Sequence, residues 1–238
     1  MRVQLVFEMT KIPVAYRLGT LSIIKEMIRN GSEDYYDSLF SKAKRKMKPF
    51  SYSTFIPNLA IEGEVIRGTE LHLNISSPHY EFIMFLVNGA QKERTYFIKG
   101  AEVTLKKKRL LPDVRISERN IIFKTLSPIL IETKDGKPVL ATDDEFKREF
   151  QYVAHLIITE VFGREPKQPI KVTQTMMTKQ IMKENLHQKQ SSALYLTANK
   201  GLLQLQGDPE DLQCLYDAGV SMRRSLGLGL LDVVEEVG

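Results

Sequence analysis

At about 100–200 residues per domain, a chain of 238 residues holds one large domain or two small ones, each with its own core. Its 42% hydrophobic and 26% charged residues, with 14 glycines and 10 prolines, exclude a disordered tail, a collagen-like chain and a disulfide scaffold. The lone Cys214 excludes an internal disulfide and a Cys-rich zinc site, and the net charge of +5 is moderate.

Val3, Leu5 and Phe7 alternate with polar neighbours, which predicts a strand over residues 2–9. Arg17–Arg29 follows as a helix with Leu18, Leu21, Ile24 and Ile28 on one stripe, closed by Asn30-Gly31-Ser32 as αL-tolerant residues. Phe50–Phe55 reads as a second strand ended by Pro57, and Leu71, Leu73 and Ile75 mark a third. Ser77-Pro78 looks like an N-cap and first-turn pair opening a helix to about Asn88. Tyr96–Lys108 is the fourth strand.

The order then repeats. Residues 121–131 are strand-like but interrupted by Ser127-Pro128. Thr142 and Glu145 suggest a capping box before a helix whose face carries Phe146, Phe150, Val153, Ile157 and Val161. Residues 168–178 and 191–205 read as strands joined by a polar connection, followed by a helix at 208–218 and a strand at 228–234. Two βαββαβ units in series predict an α+β fold of two tandem ferredoxin-like, RRM-like domains, 1–115 and 116–238. No apolar run reaches the roughly 18 residues of a membrane span. Residues 1–7 read as a strand, not a signal-peptide core, so the expected setting is the cytoplasm without a membrane partner.

Positive charge comes in blocks: Lys42–Lys48, Lys106-Lys107-Lys108-Arg109, and the stretch from Arg164 to Lys189 with Lys167, Lys171, Lys179 and Lys183. Blocks of cations point to a polyanion, because each neutralised phosphate releases counterions. A solvated basic face is the competing reading. The segment Gly219-Val-Ser-Met-Arg-Arg-Ser-Leu-Gly-Leu-Gly229 is the strongest local signal. Its Gly227 and Gly229 permit positive φ, while Arg223 and Arg224 set guanidinium groups beside exposed backbone N–H donors, a way to hold phosphate. A tight helix-to-strand turn would use the same residues. No dinucleotide or P-loop fingerprint is present.

That glycine-rich segment resembles the C-terminal motif of the CRISPR-associated endoribonucleases that process repeat RNA, members of the RAMP superfamily. Lys48-Pro-Phe-Ser-Tyr-Ser-Thr-Phe55 resembles the segment opening their second strand, and Lys124-Thr-Leu-Ser-Pro-Ile129 the one opening their second domain. Ser221 stands where the family usually has a glycine. The resemblance implies binding of CRISPR precursor RNA and metal-independent cleavage without a cofactor. The 2′-hydroxyl attacks the scissile phosphorus, leaving a 2′,3′-cyclic phosphate and a 5′-hydroxyl. It also implies a possible effector complex or homodimer as partner.

The resemblance puts Lys42 where many members carry a loop histidine, Lys25 near a tyrosine of the first helix, and Lys48 on a matching lysine. The expected catalytic set is therefore Lys25, Lys42 and Lys48. Arg45, Lys106, Lys107, Lys108, Lys167, Lys171 and Lys179, with Ser221, Arg223, Arg224, Ser225, Gly227 and Gly229, are expected to bind RNA. A lysine near 10.4 is a poor base at pH 7, although neighbouring ammonium groups lower that value. Lys42–Lys48 as a mere gripping loop is the alternative; some members of the family lack the histidine and still cleave, and others bind without cutting. Asp143-Asp144-Glu145 reads as a helix start, not a metal site. His72, His79, His155 and His187 read as structural or surface residues.

Overall fold

Alternating apolar residues produce the first strand, β1 (Arg2–Glu8), and a short β2 (Lys11–Pro13) leads into helix α1 (Arg17–Gly31). A single turn, α2 (Glu33–Tyr36), is capped by Ser32 Oγ, which accepts from the Tyr35 N–H at 3.2 Å. There follow β3 (Ser51–Phe55), β4 (Ala60–Glu62), β5 (Val65–Arg67), β6 (Glu70–Ser76) and helix α3 (Tyr80–Lys92). The hairpin β7 (Thr95–Ile98) and β8 (Ala101–Leu111) closes the first half. The second half runs β9 (Asn120–Thr125), β10 (Ile131–Glu132), β11 (Pro138–Val139) and α4 (Phe146–Phe162). It ends with β12 (Lys171–Asn185), β13 (Ala193–Gln206), α5 (Pro209–Ala218) and β14 (Leu231–Val237). This is a computed structural model describing residues 1–41, 47–185 and 193–237.

The chain forms two units. One comprises Met1–Lys46, Thr54–Leu111 and Lys183–Tyr195; the other comprises Met47–Ser53, Pro112–Met182 and Leu196–Gly238. Strand order is β3-β6-β1-β8-β7 in one sheet and β12-β13-β9-β14 in the other. Each contains the interleaved order of a βαββαβ unit, so both halves are ferredoxin-like. In the first unit Val3, Leu5, Phe7, Leu71, Leu73 and Ile75 of the strands and Ile24, Ile28, Phe82 and Leu86 of the helices are all buried, at most 1% exposed. The second core joins Ile121, Phe123, Leu203, Leu205 and Leu231 to Phe146, Phe150, Val153, Ile157, Leu212 and Leu215.

Several local expectations shift. On α1 the inward face is Thr20, Ile23, Ile24, Met27 and Ile28, while Leu18 and Leu21 are only half-buried. Gly31 does not end α1 in the αL region; Ser32 follows in extended backbone, and a Cβ on Gly31 would strike the Phe85 carbonyl of α3. Close helix–helix approach is what requires glycine there. Helix α3 starts at Tyr80, because Ser77 Oγ accepts from the His79 N–H and holds Ser77-Pro78-His79 as a turn. The fourth strand is a hairpin turned at Lys99-Gly100, both at positive φ. The Thr142–Glu145 capping box is absent: Glu145 is the N-cap without a side-chain bond, and Asp143 instead accepts from the Leu140 N–H. No helix among the described residues is long and apolar enough to cross a membrane.

Candidate functional site

Three sequence segments converge within the second unit. The glycine-rich loop leaves α5 at Gly219 and is pinned along its length. Val220 N–H donates to Gly229 O, Met222 N–H to Leu130 O and Gly229 N–H to Pro128 O, each at 2.8 Å. Ser127 Oγ accepts from the Leu230 N–H at 2.9 Å. The Thr125-Leu-Ser-Pro128 segment is therefore the cradle on which the loop is folded. Gly227 and Gly229 have φ of 76° and 77°. A Cβ on Gly227 would enter the ring of Tyr52, and one on Gly229 would press on Val220 O and Ser221 Cβ. Both the backbone conformation and the lack of room select glycine.

Segment 48–52 completes the assembly. Arg224 is 5% exposed, and its guanidinium donates to Ala218 O at 2.7 Å and to Lys48 O at 3.0 Å. Burial pulls that guanidinium down to about 10, so it still carries its charge at neutral pH. Both hydrogen bonds end on carbonyls, which leave that charge unneutralised. The loop thus has a cation built beneath it. Arg224 does not reach out as the sequence suggested; it holds the loop from inside. Ser221, 1% exposed, is likewise internal: its Oγ accepts from the Leu130 N–H at 2.8 Å and donates to Met222 O at 2.6 Å. It fills the place of a glycine by stitching the loop to the cradle. Arg223 is exposed at φ 53° and pairs with Glu132 at 3.0 Å, and Ser225 is half-buried.

The expected catalytic lysines occupy different settings. Lys25 lies on α1 in the first unit, half-buried, its ammonium 5.0 Å from the centre of the Phe40 ring. Lys48 belongs to the second unit, half-buried, with its carbonyl on Arg224. Lys42 and Arg45 lie outside the described residues, as do His187 and Lys189.

The basic blocks differ in how free their charge is. Lys106 pairs with Glu8 at 2.7 Å, and Lys167 reaches Glu210 at 2.6 Å, whose hydrogen bond raises the Lys167 ammonium above its ordinary value. Lys107, Lys108, Lys171 and Lys179 are exposed. Lys171 and Lys179 are separated by an even number of residues along β12 and share one face.

A second polar surface lies on the first sheet. The residues of β1, β6 and β8 that alternate with its apolar ones carry Gln4, Glu70, His72, Asn74, Lys107 and Arg109. His72 bonds Glu70 at 2.6 Å and meets Phe55 edge to face at 5.9 Å, with Phe55 59% exposed. The hydrogen bond from His72 holds the Glu70 carboxyl below the usual range, with Lys107 and Arg109 adding to it. Phe55 closes the quoted Lys48–Phe55 motif, so the signal was present; only strand pairing reveals its neighbours. Among the described residues, no three His, Cys, Asp or Glu side chains gather as a metal ligand set.

Known proteins share this architecture. A Cas6-related protein from Pyrococcus furiosus is 22% identical, with TM-score 0.83 over 100% of this chain and 99% of its own. A RAMP protein described as binding different RNA substrates is 18% identical, with TM-score 0.81 over 99% and 100%. Thermus thermophilus Cas6, solved as a product complex, is 12% identical, with TM-score 0.68 over 98% and 99%. No curated protein sequence matches the chain. The model of the family described as CRISPR associated protein Cas6, C-terminal, matches residues 105–233, more than half of the chain, and takes in the cradle, the β12–β13 hairpin and the glycine-rich loop. The chain belongs to the Cas6 family.

Proposed function

We propose that this Cas6 protein is an endoribonuclease that binds CRISPR repeat RNA and cuts it without a metal. The observation that carries the reading is the glycine-rich loop, held rigid by the 48–52 and 125–130 segments over the buried charge of Arg224. A rigid loop over an unneutralised cation is suited to phosphate, and the field of Arg224 costs no reorganisation when the anion arrives. Exposed Lys107, Lys108, Lys171 and Lys179 supply further phosphate contacts, and Phe55 beside His72 offers a stacking surface for an unpaired base.

In the proposed reaction the 2′-oxygen attacks phosphorus as its proton passes to solvent water, the bond to the 5′-oxygen breaks, and that oxygen takes up a proton from water. Lys25, Lys42 and Lys48 stabilise the charge of the pentavalent phosphorane. The RNA supplies the nucleophile, so the protein has only to align it and neutralise charge. Its protein partners in this reading are a larger effector assembly or a second copy of the chain.

The test is repeat RNA with EDTA, run beside the same RNA bearing a 2′-deoxy sugar at the cut. Cleavage that survives EDTA and stops with the deoxy sugar is the expected result; the opposite pattern overturns the mechanism. Lys48→Ala should slow the cleavage step more than it weakens binding.

A second reading is a repeat-RNA-binding protein that does not cut. The specific observation behind it is that residues 32–50 contain no histidine. Tight binding with no product after prolonged incubation would establish it.

A further inference from the structure

Helix α1 begins without a cap of its own. Its N-cap, Tyr16, is in the αR region and makes no side-chain bond, and the first turn contains no acid. The missing acceptor arrives from the β12–β13 hairpin. Glu184 Oε1 accepts from the Arg17 N–H at 2.9 Å across 167 residues of sequence. The Glu184 side chain is 1% exposed, and its Oε2, without a hydrogen-bond partner, lies 4.0 Å from the Lys99 ammonium. Lys99 occupies the β7–β8 turn, directly after Ile98, whose side chain lies over Gly19 in the first turn of α1. One residue earlier on the hairpin, Lys183 pairs with Glu64 at 2.8 Å.

A carboxylate removed from water persists only where a donor, a helix dipole and a cation together offset its desolvation. Glu184 has all three, the donor and the dipole from α1 and the cation from the β7–β8 turn. The helix it caps carries Lys25 two turns further on, and the strand it sits on carries Lys171 and Lys179.

We propose that Glu184 is a positioning residue: by capping α1 from the end of β12, it fixes both the helix bearing Lys25 and that end of the strand in the arrangement that RNA cleavage uses. The inference rests on the proposed function for its catalytic half and on geometry alone for its structural half.

The experiment compares the full-length wild type with Glu184→Gln and Glu184→Ala by amide exchange without RNA and by single-turnover cleavage and binding of a repeat RNA. Glu184→Ala is expected to speed exchange about tenfold at the Arg17 amide, which loses its acceptor, and at the first-turn Thr20 amide. Cleavage should slow about tenfold while Kd moves less than about threefold, as befits alignment and not grip. Glu184→Gln keeps an oxygen for the Arg17 N–H, preserves the shape should the alanine variant fail to fold, and should restore part of both effects. Exchange or cleavage unchanged in Glu184→Ala overturns the inference while leaving the proposed function intact. A wild type that does not cut overturns the proposed reaction and the positioning role together, and is told apart because exchange still responds to Glu184→Ala.

Discussion

Arg224 shows how far a residue's type and its role can part. Two adjacent arginines in a glycine-rich segment read alike, yet Arg223 is exposed against Glu132 while Arg224 is buried on two carbonyls. Periodicity could not separate them, because the loop has none. The Arg224→Met variant removes a costly buried charge and also two donors, and these effects partly cancel in stability. Its RNA affinity should fall for every repeat sequence alike, with the salt slope shallower by up to about one; an unchanged slope in titrations at two salt concentrations refutes the role. Gly227→Ala forces a Cβ into Tyr52 at φ 76° and should cost about 1–3 kcal/mol from the backbone alone, read as a lowered Tm. Cys214 illustrates the pH side. Burial pushes its thiol from 9.0 up to about 11, so the folded state favours the protonated form. That contribution is complete below pH 9 and is lost as pH rises through 11. Between those values Cys214→Ala should show a shallower fall in Tm than the wild type.

At the level of elements, what was legible follows from pattern strength. The stripe Phe146, Phe150, Val153 and Ile157 became α4 with those residues buried, and the helix expected at 208–218 formed as α5, with Asp208 as a cap that accepts from the Glu210 N–H at 3.0 Å. The small sheet β2-β5-β4 went unseen because strands of three residues carry too few alternations to register. The β12–β13 hairpin was seen, but shorter than it is: Gln180, Ile181, Met182 and Lys183 read as polar connection, whereas they continue the strand. The glycine-rich, Lys48–Phe55 and Thr125–Ile129 segments were each legible by resemblance; their mutual packing was not, since hydrogen bonds across 91 and 176 residues leave no trace in local sequence. If the hairpin grips RNA, Lys171→Ala and Lys179→Ala should each reduce the salt slope of repeat binding by about one without changing sequence preference. Lys167→Ala should change it less, because Glu210 already occupies that charge.

The two units do not divide at a single point of the chain. Cutting between Leu111 and Pro112 separates residues 47–53 from the rest of the second unit, and the segment Lys183–Tyr195 from the rest of the first. The second fragment would then keep its glycine-rich loop and its 125–130 cradle but lose Lys48 O, Ser51 and Tyr52. Arg224 would forfeit one of its two carbonyls, and the ring that packs on Gly227 would be gone. A buried guanidinium with one acceptor removed draws in water, and local opening follows where burial was the constraint. Fragment 112–238 should therefore keep helical signal from α4 and α5, whose core lies wholly within it. Its Gly227 and Leu228 amides, both bonded to Arg224 O, should exchange faster than in the full chain. Adding residues 47–55 as a peptide should slow them again. Equal protection in fragment and full chain would mean that the cradle alone shapes the loop.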